Sequence, residues 1–252
     1  MCRCLTRIAA TLAIAAQSSL RSGQIDKKEI NGMLELLMKA ATHPSIIVCG
    51  IALEAFPPLL IPRSDLAIRL LPTLQGRAII PPNLVGMTKY DSSNVDFHEF
   101  EKFREHVLAD VLVSCYICSR SYYIESCTAA VEEFYAASPT PQLPHQLEAA
   151  LYCLNAVSVD ASKDALLINA TSATQLSAVK ARCSRENENC DIEIADILSE
   201  TKQHNYQLTR CIHALAKNSV LFSSNPLSLA QTCLFLAKVS QICISIIKLN
   251  YV

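Results

Sequence analysis

From Met87 to Val252 the chain contains no glycine, and this run restricts the possible folds more than any motif does. The five glycines, Gly23, Gly32, Gly50, Gly76 and Gly86, all precede it. A glycine-rich phosphate loop, a dinucleotide fingerprint or a nucleophile elbow needs backbone that approaches a ligand closely or turns through positive φ. Rossmann enzymes, P-loop NTPases and α/β-hydrolases are therefore excluded over that run. A β-sandwich is disfavoured as well, because tight hairpins lean on glycine turns and the one Asn-Gly pair, Asn31-Gly32, sits inside a helical pattern. Leucine and alanine together supply 62 residues, which favours helix.

Charge narrows the partners. With 22 basic and 23 acidic residues the formal charge is −1, without the basic excess that holds a phosphate backbone, so direct nucleic-acid binding is not expected. The 12 cysteines mostly stand singly in apolar helical runs and read as buried, reduced small hydrophobes of a reducing compartment. Cys115 and Cys118 form the single Cys-x-x-Cys, with no second pair at zinc-finger spacing; packing is the expected role and zinc the alternative.

The first acid is Asp26, after Arg3, Arg7 and Arg21, so residues 1–20 admit two readings. As a leader, Ile8 to Ala16 would be the apolar region of a signal peptide, although the Ala13-Ile14-Ala15 cleavage match falls inside it; the arginines and serines equally suit a transit peptide. As a helix, Leu5, Ile8, Leu12 and Ala15 recur at helical spacing and are expected to pack on a neighbour. Leu227 to Leu249 is also long and apolar. Its Gln231, Lys238, Ser240, Gln241 and Lys248 suit a buried helix better than a membrane span, and no membrane insertion is expected.

Helix signals then follow one another with short breaks. Asp26 and Glu29 have capping-box spacing ahead of a face made by Ile30, Met33, Leu34, Leu37 and Ala41. Pro44 suits the first turn of a helix that Pro57 and Pro58 should end. Ser64 is expected to cap a helix from Asp65 to about Leu71, stopped or kinked by Pro72. Residues 81–95 read as an exposed loop. Asp96 and Glu99 repeat the capping-box spacing before a stripe of Phe100, Phe103, Val107, Val111, Cys115 and Cys118, with Glu101, Arg104, Glu105 and Asp110 largely off it. Further helices are expected from Ser121 to Ala137, from Pro144 with Leu147, Ala150, Leu151, Leu154 and Val157 aligned, over Ala165 to Arg182, near Leu208 to Leu215, and after Pro226.

The expected fold is all-α, a HEAT-like helical-repeat solenoid in which residues 1–252 form a single helical-repeat region. At roughly 40 to 47 residues per repeat the chain holds about five or six helix pairs. A compact bundle is the alternative. No strict internal repeat is visible; the first helix begins within about four residues of Met1 and the last runs apolar to Val252 without the polar outer face of a capping repeat, so the chain is expected to be a fragment of a longer array or a truncated gene model.

Three stretches resemble the importin-β-like nuclear transport receptors, or karyopherins, in their importin-13, transportin-SR and exportin branch. The first runs Leu34-Glu35-Leu36-Leu37 through Ala40-Ala41-Thr42-His43-Pro44-Ser45, similar to a family helix ending in His-Pro. The second is Asp96-Phe97-His98-Glu99-Phe100 continuing to Phe103-Arg104, where an acidic loop gives way to a long amphipathic helix. The third is His145-Gln146-Leu147-Glu148-Ala149-Ala150-Leu151-Tyr152, with His145 where the family commonly has an aromatic such as Trp. Their order matches the middle of such a receptor. The resemblance implies protein cargo, the GTPase Ran and nucleoporins as partners, residence in nucleus and cytoplasm, and a main Ran-binding surface in a segment that this chain lacks. A helical scaffold unrelated to transport is the alternative.

No enzyme chemistry is expected, and no cofactor. His98, Glu99 and His106 do not make a His-Glu-x-x-His site and read as solvated. Cys127 has Glu125, Glu132 and Glu133 near it in sequence, a setting that disfavours a thiolate. The one marked charge feature lies in the polar break over residues 184–200. Glu186, Glu188, Asp191, Glu193, Asp196 and Glu200 are six acids with no base between the first and the last. They are candidates for an acidic wall that attracts basic cargo or a basic patch of Ran; the alternative is a solvated loop near a helix N-terminus.

Overall fold

The computed structural model of the chain describes residues 2–20, 27–60, 63–84, 95–136, 145–161, 203, 206–207, 209–214 and 233–235. Among these every regular element is helical and there is no strand; the protein is all-α. The chain divides into two compact units, Met1–Ser119 and Arg120–Val252.

In the first unit, α1 (Cys2–Leu20) packs on α2 (Lys27–Ala41) and α3 (Ile46–Leu53). A short α4 (Phe56–Leu60), α5 (Ser64–Ala78), a 3-10 turn (Pro82–Leu84) and α6 (Val95–Lys102) follow. A π-helical turn (Phe103–Leu108) joins α6 to α7 (Ala109–Ala136) and packs on α3 and α5. α3 is apolar all round and buries Val48, Cys49, Ala52 and Leu53 in the unit, while Ile46 and Ile51 are half-buried and Ile47 is exposed. α2 buries Leu34, Leu37 and Ala41 of its expected face, and Asn31-Gly32 lies within it.

Polar contacts tie α2 to α5 in ascending order. Arg63 Nη2, at the start of α5, donates to Asn31 Oδ1 at 3.2 Å; Arg69 pairs with Glu35; and Arg77 Nε donates to the Ala41 carbonyl at 3.1 Å. Partners that advance together along both helices mean that α2 and α5 run parallel. α3 and α4 make the return between them.

The structure corrects several expectations. The apolar stripe of α1 does not pack: Leu5, Ile8 and Leu12 are 58%, 56% and 51% exposed, Ala15 is exposed, and the buried residues are Thr6, Ala10 and Ala13. Small side chains let helix axes approach closely, so the face nearest its neighbours is the small one. α3 begins at Ile46, not at Pro44, with Ser45 as N-cap residue in extended backbone (φ −72°, ψ 119°). α3 ends at Leu53, ahead of Pro57 and Pro58 as expected, and the two prolines stand in the first turn of a further short helix, α4, where a missing N–H costs nothing. The residue flanking α5 is Arg63 rather than a Ser64 cap, and Pro72 neither stops the helix nor ends it at Leu71. Pro72 and Ile68 both lie on the exposed side, so water can satisfy the Ile68 carbonyl that Pro72 leaves without an N–H donor. Asp96 stands inside the first turn of α6 rather than ahead of it. Arg104, expected off the stripe, is buried with its guanidinium 5.6 Å from the Phe100 ring centroid. The π turn explains this, because each i→i+5 step inserts extra backbone and rotates later residues toward the core.

α7 breaks where the sequence separates two helices. Arg120 has φ 22° and ψ −93°, neither of them helical, so the helix of residues 109–119 ends and that beginning at Ser121 starts afresh. In the second unit Tyr123, Ile124, Cys127, Thr128 and Val131 of α7 are buried. A further helix, α8, covers 145–161 and buries all five expected positions, Leu147, Ala150, Leu151, Leu154 and Val157. The Tyr123 hydroxyl donates to the Cys153 carbonyl at 2.8 Å, and Arg210 forms a two-bonded ion pair with Glu132. Residues 209–214 are helical with Cys211 buried, as expected, whereas Asp26, residues 85–94, the helix expected over Ala165 to Arg182 and most of that after Pro226 lie outside the described residues.

By length and composition alone, the helical run Val95–Phe134 contains a window apolar enough to cross a membrane. Arg120 interrupts it, and Phe100, Phe103, Leu108, Val111, Leu112, Cys115 and Tyr116 along it are buried.

Candidate functional site

A hollow of about 280 Å³ opens in the first unit where the chain leaving α2 meets the end of α5 and the start of α6. Its walls are mostly apolar, with Pro44, Ile46, Ile79, Phe100 and Phe103 around it, while Asp96 and Glu99 stand at the α6 side. Its polar floor is already engaged. The Cys49 thiol donates to the Ala41 carbonyl at 3.1 Å, and Arg77 Nε donates to the same oxygen at 3.1 Å. Ala41 is the last residue of α2, and carbonyls at a helix C-terminus lack intrahelical partners. Two donors from α3 and α5 thus close the end of α2, and the Arg77 charge complements the negative end of its dipole. The next link is local: Ser45 N donates to His43 Nδ1 at 3.1 Å, turning the chain from α2 into α3.

This arrangement stabilises a helix junction rather than activating a nucleophile. Burial pushes the Cys49 thiol from its ordinary 9.0 up to about 11, against the opposing pull of the Arg77 charge. The thiol is protonated at neutral pH. Since the folded value lies above the unfolded one, its contribution to stability is intact below pH 9 and is lost as pH rises toward 11. Two pKa units correspond to about 3 kcal/mol. Denaturant melts between pH 8 and 11 should therefore show a stability loss whose slope is smaller in a Cys49→Ala variant. Equal slopes in the two proteins would mean that the thiol is not held in the buried state described.

No family model, curated protein or solved structure matches the chain.

The expected site residues fare differently. All six acids, Glu186, Glu188, Asp191, Glu193, Asp196 and Glu200, lie outside the described residues. Cys115 is fully buried and Cys118 half-buried; burial raises both thiols, that of Cys115 with a further contribution from Cys118. Among the described residues no three His, Cys, Asp or Glu side chains gather as a metal site would require. His98 is half-buried with its ring edge-on to Phe97, and His106 is exposed. Cys127 is buried in the second unit, as is Cys211, whose thiol burial pushes up to about 12 despite a hydrogen bond with Thr128.

Two features escaped the sequence. The convergence of Cys49 and Arg77 on Ala41 joins residues 36 positions apart, and Arg77 belongs to a helix expected to stop before it. The open stripe of α1 was legible as a stripe, but not as one facing outward.

Proposed function

We propose that this chain is a protein-binding helical array that forms the central part of a nuclear transport receptor. In this reading it takes protein cargo under the control of Ran, meets nucleoporins, and moves between cytoplasm and nucleus. The observation that carries the array is the order of packing in the first unit. α1 touches α2 and α3, and α3 touches α2 and the π turn. The parallel run of α2 and α5, with a return between them, is what stacked helix pairs produce. Such a stack offers an extended surface for large partners, and a site-poor sequence suits that use.

Support for transport comes from the three receptor-like stretches. The first spans the α2 end and its His43-Pro44 link, the second forms α6 with Phe97, Phe100 and Phe103 buried, and the third begins α8 with Leu147 to Leu151 buried. They are packing motifs, so function is tested through the acidic segment. In the full-length receptor that this reading implies, with a basic nuclear-localisation peptide as cargo probe, Glu193→Lys with Asp196→Lys should slow association about tenfold at low salt. Wild-type association should slow as salt rises, and Ran-GTP should release the peptide. An acidic run that is solvated, as its sequence suggests, predicts that the double reversal leaves the melt unchanged. Association that ignores both reversal and salt would remove the acids from the mechanism. Peptide binding untouched by Ran-GTP would leave a scaffold unrelated to transport.

A further inference from the structure

We draw no further inference here: the strongest candidate, the hollow of the first unit with Asp96 and Glu99 at its α6 side, rests on two exposed acids near the N-terminus of that helix, and nothing in the structure shows what covers its apolar walls.

Discussion

Replacing Ala13 with aspartate is expected to destabilise the first unit by about 3–5 kcal/mol, while Leu12→Asp should change its stability by no more than about 0.5 kcal/mol. The two positions are adjacent in sequence, and the apolar pattern points to Leu12 as the damaging one. The structure reverses this. Ala13 is fully buried on the side of α1 that meets α2 and α3, so an aspartate there would carry an unpaired charge into a helix interface or be forced neutral. Leu12 is half exposed, and an aspartate there stays in water. Urea melts of the two variants decide the matter. A larger loss for Leu12→Asp would mean that α1 is turned by about 100°, the rotation that separates neighbouring residues on a helix.

The same contrast explains how far the sequence can be read. Helical content was legible because it is local: periodic apolar positions on α2 and α8 and the break near Arg120 all depend on residues a few places apart. Which face of α1 turns inward is not local. Hydrophobic spacing selects the largest side chains, whereas the fold used threonine and alanine to bring α1 close to two neighbours. Pro72 was misread for a related reason, since the cost of an interior proline depends on whether the carbonyl four residues earlier reaches water. Arg104 could not be placed without the π turn, which shifts its angle around the helix. The junction at Ala41 needs α2, α3 and α5 together, and no spacing in the sequence announces it. The acids from Glu186 to Glu200 are legible as a charge run, and their role is a matter for binding kinetics.

In the second unit the largest effect is expected at Tyr123. It is fully buried, and its hydroxyl donates to the Cys153 carbonyl of α8 across 30 residues of chain. Two contributions are joined there, and two substitutions separate them. Tyr123→Phe keeps the ring and removes the donor, at a cost of about 1 kcal/mol. Tyr123→Ala also leaves the space of the ring, which raises the cost to about 3–5 kcal/mol, because a packed interior closes only partly around a cavity. The Phe variant should therefore keep most of the wild-type stability in denaturant melts. Losses of similar size in both would mean that the hydrogen bond, not the ring, holds α8 to α7.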